Sequence, residues 1–172
     1  MNYTVYSASG RTGSWRLCQM ISSSYKNFNA TVTWNNPEDE HFCYHTHDSE
    51  FAVKGQAILS TRKDKTNIVL SYLIAKQCGF IHQSKCPPFK VDIPTYIAHT
   101  EDLLKKEKDF LNKHNNAIEI YVEDSIEDIE SKLNIVLAYK HNDTKYISIN
   151  KAADVIENYS EIRAIAAHYN IA

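Results

Sequence analysis

Apolar and polar positions follow two different periods along the chain, and these periods predict strands and helices in turn. Runs rich in β-branched and aromatic residues predict strands or short apolar segments at NYTVYSA (2–8), NATVTWNN (29–36), HFCYHTH (41–47), QAILSTR (56–62) and NNAIEIYVED (115–124). Each run is short and ends at polar or turn-forming residues, as strands of a buried sheet do. The pattern therefore predicts several short strands separated by other elements.

Apolar residues spaced three and four apart predict helices between these runs. The predicted helices cover about 14–25, a segment within 63–79, a long segment from residue 92 onward, a segment starting at Ser125, and 151–169. Gly79 is a candidate C-cap, and Ser125 with Asp128 matches a capping-box variant. The helix after Ser125 is predicted to bury Val136 among its apolar residues.

Strands that alternate with helices imply right-handed crossovers and an α/β fold, with a mostly parallel sheet flanked by helices. The chain has 172 residues, so we expect a single domain over residues 1–172. In such sheets ligands bind at the carboxyl ends of the strands. Two polar segments, SGRTGS (9–14) and TRKD (61–64), follow predicted strands there and are expected to share one site.

Charge and cysteine content limit the partners and the compartment. The net charge is −2, so no overall basic field favours nucleic acid or a membrane surface as a partner. No apolar run approaches membrane-spanning length, and the N-terminus lacks the hydrophobic region of a signal peptide. The four cysteines form no CxxC pair, which predicts reduced thiols and a cytoplasmic location.

The segment SGRTGS holds two of the four glycines of the chain, Gly10 and Gly13. A glycine-rich loop between a strand and a helix binds anions through backbone N–H groups and the helix dipole. Arg11 adds a positive charge, and the hydroxyls of Thr12 and Ser14 add donors. The loop lacks the lysine and the spacing of a Walker A motif, which favours phosphate binding over nucleotide hydrolysis. A plain strand-to-helix turn with Ser14 as N-cap is the alternative.

Three ordered segments resemble sulfotransferases, and the likeness is nearest to bacterial carbohydrate sulfotransferases of the trehalose-sulfating type. Arg62-Lys63-Asp64, followed by Ser71, resembles the family's nucleotide-binding strand and helix, and GRTGSW resembles its 5′-phosphosulfate loop. IEIYVEDSIEDIESKLNIVL and INKAADVIENYSEIRAI are similar to its later strand and closing helix. The resemblance implies a P-loop-like sulfotransferase architecture.

The resemblance also implies a reaction and its site. Such an enzyme moves a sulfuryl group from 3′-phosphoadenosine 5′-phosphosulfate (PAPS) to a hydroxyl or amine, leaves PAP as product and requires no metal. It implies that the 5′-phosphosulfate binds to Gly10, Arg11, Thr12, Gly13, Ser14 and Trp15, with Arg11 also stabilising the charge of the reaction. The 3′-phosphate would bind to Arg62 and Ser71. Without the resemblance, the simpler interpretation is that Arg62 is a surface cation and Ser71 a solvent-facing helix residue.

The stretch YHTHDSEF supplies a candidate base. It resembles the Lys-Thr-His strand end of cytosolic sulfotransferases, which implies that His47 is the base and that His45 replaces the lysine. Glu50 is the reserve candidate. An alternative is a zinc site, because His41, Cys43, His45 and His47 alternate along one strand. Their Cα atoms would span about 20 Å, so at most two neighbours could share one metal ion.

Two other classes of function stay open beside the sulfotransferase. A small P-loop kinase-like enzyme would need Mg²⁺ and a loop lysine. A non-catalytic nucleotide- or phosphate-binding module would have the same fold without the activity. This alternative is favoured by Trp15, which stands in place of a hydroxyl residue, and by the short chain. The expected partner is a small-molecule or glycan acceptor, and a sugar, a lipid, a phenol and a peptide are all compatible with the sequence.

Overall fold

The computed structural model describes residues 2–24, 29–32, 42–79, 86–137 and 151–169. The elements follow one another as β1 (Tyr3–Tyr6), α1 (Ser14–Ser23), β2 (Asn29–Val32), β3 (Phe42–Thr46), β4 (Gln56–Thr61), α2 (Lys65–Cys78), α3 (Ile93–Lys113), β5 (Ile118–Tyr121), α4 (Ile126–Leu133), α5 (Ala152–Val155) and α6 (Tyr159–His168). Residues 33–36 and His41 of the predicted strands, and residues 138–150 between the last two predicted helices, lie outside the described residues.

The strands of the described residues form one parallel sheet in the order β2-β3-β1-β4-β5. In its register, Val5 of β1 lies between His45 of β3 and Ile58 of β4. The central strands are buried almost throughout, as expected where helices cover both faces of a parallel sheet. The α/β class and the parallel sheet are confirmed.

By its internal contacts the chain divides into two compact units. One comprises Met1–Arg62 with Lys106–Asn142, and the other comprises Lys63–Lys105 with Asp143–Ala172. All five strands belong to the first unit. The expectation of a single domain over residues 1–172 stays a prediction.

In the first unit, apolar side chains pack against both faces of the sheet. Successive side chains of a strand point to opposite faces, so Val5 and Tyr6 of β1 enter different layers. Val5 packs with Ile21 of α1 and Ile129 of α4 on one face. On the other face Tyr6 packs with Phe110 near the end of α3, their ring centroids 4.4 Å apart. The loop that follows β1 at the carboxyl edge therefore continues from a strand that is packed on both faces.

The second unit joins α2 to the C-terminal helices, and here the prediction of one helix over residues 151–169 is wrong. Phe89 and Ile156 pair as a short parallel bridge. The Asn158 amide then donates to the Val91 carbonyl and accepts from the Val91 N–H, both at 2.9 Å. These bonds require extended backbone at Ile156, so the helix is divided into α5 and α6.

The capping box that begins α4 is confirmed. The Ser125 hydroxyl accepts from the Asp128 N–H, and the Asp128 carboxylate accepts from the Ser125 N–H. The expected burial of Val136 is wrong, because α4 ends at Leu133 and Asn134 takes the left-handed conformation. Val136 lies beyond that turn and is 79% exposed.

The cysteines divide into two pairs. A disulfide joins Cys78 at the end of α2 to Cys86, with their Cα atoms 5.5 Å apart. The expectation of reduced thiols is therefore wrong for this pair. Cys18 of α1 and Cys43 of β3 are buried thiols, and the Cys18 thiol donates to the Cys43 carbonyl at 3.0 Å.

Across the described residues, no helix is both long enough and apolar enough to cross a membrane.

Candidate functional site

The connections after β1 and β4 run in opposite directions at the carboxyl edge of the sheet. The chain leaves β1 through α1 toward β2 at one edge, whereas it leaves β4 toward β5 at the other edge. Adjacent strands whose connections diverge open a crevice between them, and this is where ligands bind in open α/β sheets. The segment after β1 and Arg62 after β4 are therefore at the position expected of a site.

The β1–α1 loop, residues 7–13, ends at Gly13, which is the N-cap of α1. Gly13 has a φ of +69°, and a Cβ there would lie 3.0 Å from Cγ2 of Val122. No side chain of the described residues caps α1, whose first turn reads Ser-Trp-Arg. The positive end of the helix dipole is thus left without a carboxylate, which favours a bound anion.

Side chains that follow or end β4 hold two carbonyls of the β1–α1 loop. The Ser60 hydroxyl donates to the Thr12 carbonyl at 3.1 Å. The Arg62 Nε–H donates to the Arg11 carbonyl at 3.0 Å, and both arginines are half-buried. The structure thus brings together Arg11 and Arg62, which are 51 positions apart in the sequence.

The hydroxyls of Thr12 and Ser14 point into the protein. Thr12 is 1% exposed, and its Oγ1 lies 2.6 Å from the Ser7 Oγ. Ser14 is 3% exposed, and its Oγ lies 2.8 Å from Nε2 of His45. At these two positions the groups left for an anion are backbone N–H groups rather than the hydroxyls that the sequence suggested.

His47 lies against the β1–α1 loop. Its Nδ1 is 2.8 Å from the Ser7 carbonyl oxygen, which only accepts, so Nδ1 carries a proton. Its Nε2 lies 3.8 Å from the position that a Cβ on Gly10 would take. Nε2, the second ring nitrogen, therefore faces the glycine-rich turn. The His47 side chain is exposed.

His45 has a different environment from His47, although the two ring centroids are 4.6 Å apart. Burial, followed by the charge of His47, lowers the pKa of His45 from its ordinary value of 6.5 to about 4. His45 is therefore neutral near pH 7 and does not replace the positive charge of a lysine. The Trp15 ring meets His45 edge-on at 5.6 Å and is 40% exposed.

Ser71 and Glu50 complete the set of predicted site residues. Ser71 is half-buried on α2 in the second compact unit, so the group described above consists of residues of the first unit alone. The Glu50 carboxylate is 87% exposed and lies 3.8 Å from Nζ of Lys113. Glu50 thus has a cation as its neighbour at the surface.

Sequence reasoning missed Ser7 and Ser60, which hold the β1–α1 loop, and the buried Glu107. The Thr61 hydroxyl donates to the Glu107 carboxylate, and Glu107 is 6% exposed within a run of charged residues on α3. A polar residue at the end of an otherwise apolar strand was the available signal for Ser7 and Ser60. For Glu107 the signal was helical spacing, because it lies four residues after Leu103 and three before Phe110, both buried on α3.

A cavity of about 80 Å³ lies beside the loop in the first unit, lined by apolar side chains of α1, β5 and α4 together with polar ones that include Arg16 and Asp124. Tyr121 is at its edge, and burial together with a hydrogen bond to Glu119 raises the pKa of this phenol. Within the described residues, no three His, Cys, Asp or Glu side chains are arranged to hold a metal ion. Cys43, one ligand of the alternative zinc site, is wholly buried in the core.

The chain matches no protein-family model, no curated protein and no solved structure. What the site can do therefore follows from its own geometry. For an anion the site offers the N-terminus of α1, which no described side chain caps, and the glycine-rich turn. Arg11 within the β1–α1 loop and Arg62 beside it supply positive charge. A histidine nitrogen that can accept a proton faces the same turn.

Proposed function

We propose that this protein is a sulfotransferase that moves the sulfuryl group of PAPS to a hydroxyl or amine of an acceptor, with carbohydrates first among the acceptors to test. The main support is the position of His47, whose Nε2 faces Gly10 in the turn that would hold the phosphosulfate. The resemblance of residues 10–15 and 62–71 to sulfotransferases agrees with this position, as does the strand crevice in which the turn lies.

In this proposal the β1–α1 loop binds the 5′-phosphosulfate through backbone N–H groups at Gly10, Gly13 and the start of α1, with Arg11 as counter-charge. The acceptor oxygen attacks the sulfur while the bond from sulfur to the bridging oxygen of the 5′-phosphate breaks. His47 Nε2 takes the acceptor proton, and PAP leaves with the electron pair of the broken bond. By the family resemblance Arg62 binds the 3′-phosphate, while the role of Ser71, in the second compact unit, stays a prediction.

The geometry favours this reaction over Mg²⁺-dependent phosphoryl transfer. A P-loop enzyme uses the hydroxyl after its loop lysine as a ligand of Mg²⁺. Here the corresponding segment has no lysine, and the Ser14 hydroxyl is bonded to His45 within the protein. We therefore expect nucleotide binding that does not depend on metal.

Calorimetric titration with PAP, with and without Mg²⁺, tests the proposal, with ATP as the control ligand. Micromolar, metal-independent binding of PAP together with much weaker binding of ATP supports it. PAP binding without any release of PAP from PAPS over a panel of sugar, phenol and amine acceptors would instead indicate the non-catalytic binding module. Absence of PAP binding would contradict both.

Arg62→Ala adds a residue-level test, with Lys63→Ala as the matched control. Arg62 lies against the loop, whereas its neighbour Lys63 is exposed. Loss of a charged hydrogen bond to phosphate weakens binding by about ten- to a hundredfold. We expect that loss of PAP affinity for Arg62→Ala and a change of less than about threefold for Lys63→Ala. Equal effects would reduce Arg62 to a general surface cation.

A further inference from the structure

We infer that Ser7 is a positioning residue, which sets the tautomer of His47 and thereby makes its Nε2 the proton acceptor. The inference rests on the proposed function only for the role of His47 in transfer. Its geometric part, the dependence of the His47 tautomer on the hydroxyls of the β1–α1 loop, stands independently of any substrate.

Ser7 is wholly buried and connects β3 to the loop through its backbone. Its N–H donates to the Thr46 carbonyl at 3.1 Å, and its own carbonyl accepts from Nδ1 of His47 at 2.8 Å. Thr46 and His47 are adjacent in sequence. The last residue of β3 and the histidine after it are therefore both aligned on the backbone of one serine.

The side chain of Ser7 controls the direction of that carbonyl. The Ser7 hydroxyl donates its one proton to the Ser9 carbonyl, so the short contact with Thr12 requires Thr12 Oγ1–H to donate to Ser7 Oγ, over 2.6 Å. Thr12 is in turn held by Ser60 through its carbonyl. A chain of hydrogen bonds thus closes the loop across residues 7, 9 and 12 and fixes the peptide plane after Ser7.

The consequence for His47 follows from the chemistry of imidazole. A neutral ring has one N–H, and the bond made by one nitrogen decides the state of the other. Because the Ser7 carbonyl accepts from Nδ1, the lone pair is on Nε2, the atom that faces Gly10. After Nε2 takes the acceptor proton, the ring keeps its Nδ1–H bond to Ser7, and the carbonyl dipole stabilises the imidazolium.

Nitrogen-15 NMR measures this tautomer directly. Long-range correlations from the ring protons of His47, assigned by their loss in His47→Gln, distinguish a protonated Nδ1 from a protonated Nε2 at a pH where the ring is neutral. Ser7→Ala removes the central hydroxyl, and we expect its His47 signals to move toward the Nε2–H tautomer. Unchanged correlations in a folded Ser7→Ala would overturn the inference.

The Thr12 variants decide the question if Ser7→Ala does not fold. Thr12→Val removes the hydroxyl and keeps the shape, whereas Thr12→Ser keeps the hydroxyl. We expect Thr12→Val to shift the tautomer, and Thr12→Ser to resemble the wild-type protein. A tautomer that does not change in Thr12→Val contradicts the proposed coupling.

Kinetics then separate positioning from binding. For a misaligned base we expect kcat for PAP release to fall by about 10- to 100-fold in Thr12→Val, with recovery in Thr12→Ser. Should PAP fail to bind the wild-type protein, the sulfotransferase proposal fails while the tautomer result still stands. Should PAP bind and turn over with unchanged kcat and tautomer in Thr12→Val, the inference alone fails.

Discussion

The two glycines of the β1–α1 loop differ in what a larger side chain would disturb. Gly13 adopts a left-handed conformation, and a Cβ there would also press on Val122 at 3.0 Å. Gly10 requires no such conformation, and a Cβ there would meet only the ring of His47, at 3.8 Å, which is ordinary contact. Gly13 therefore matters for folding, whereas Gly10 matters for access to His47.

Replacing these glycines by alanine separates the two reasons. We expect Gly13→Ala to lower the free energy of unfolding by about 1–2 kcal/mol from backbone strain, with a further loss from the contact with Val122. Urea unfolding measures both, and the double variant with Val122→Ala recovers only the contact. Gly10→Ala should unfold within about 0.5 kcal/mol of the wild-type protein. Equal losses at both glycines would contradict this assignment.

At the same scale, His45 makes stability depend on pH. The pKa of His45 is about 4 in the folded protein, against an ordinary value of 6.5. Between these values the unfolded chain binds a proton that the folded chain does not, so the free energy of unfolding falls as pH falls from about 6.5 toward 4. Above pH 6.5 this contribution is constant.

His45→Gln isolates this contribution, because glutamine keeps a hydrogen-bonding group near Ser14 and does not titrate. Unfolding should be measured for both proteins from pH 4 to pH 8. We expect the stability of wild type relative to His45→Gln to decrease as the pH is lowered below about 6.5. A difference that does not vary with pH would mean that the folded protein leaves His45 with its ordinary pKa.

At the scale of elements, α2 begins with a cap that also ties it to α6. The Asp64 carboxylate accepts from the Asn67 N–H at 3.1 Å and pairs with Nη1 of Arg163 at 2.8 Å. Both side chains of the pair are partly exposed, so the ion pair itself is expected to contribute less than the cap. The two functions of one carboxylate can be separated by substitution.

Asp64→Asn keeps a capping oxygen and removes the charge, whereas Asp64→Ala removes both. We expect Asp64→Asn to lower the free energy of unfolding by less than about 1 kcal/mol, and Asp64→Ala by about 1–2 kcal/mol. Arg163→Ala is the control, because it breaks the ion pair and leaves the cap. A loss in Arg163→Ala as large as that in Asp64→Ala would assign the stability to the pair instead.

At the scale of the whole molecule, the thiols report on both compact units. Cys18 and Cys43 are buried in the first unit, and the disulfide between Cys78 and Cys86 lies in the second. We expect a thiol reagent to find almost no reactive cysteine in the folded protein, two after unfolding, and four after unfolding with reduction. Four thiols after unfolding alone would show that Cys78 and Cys86 are reduced.

Removing the disulfide should destabilise the second unit. Its ring spans a sequence separation of 8, for which loop closure is worth about 2–3 kcal/mol. The double variant Cys78→Ser and Cys86→Ser measures this loss by urea unfolding. Reduced wild-type protein is the control, and it should show the same loss.

Local sequence was sufficient for most elements and insufficient where a distant segment competes. The periods of β1, α2 and α3 and the capping box of Ser125 depend on neighbours within a few residues, and the structure has these elements where they were predicted. The C-terminal helix is divided because Asn158 bonds to Val91, which is 67 positions away in the sequence. The helical periodicity on either side of Asn158 does not predict that bond.

The sequence by itself determined the α/β class, the order of the elements up to α4 and the glycine-rich turn, because these follow from local periods and backbone preferences. Only the tertiary structure decided the strand order, which brings Arg62 to the Arg11 carbonyl, and the inward direction of the Thr12 and Ser14 hydroxyls. It also decided that the Ser7 carbonyl bonds to Nδ1 of His47. The bonds of Arg62, His45 and His47 join residues at least 31 positions apart in the sequence, and the bond between Thr12 and Ser7 forms only when the β1–α1 loop has folded, so local periods predict none of them.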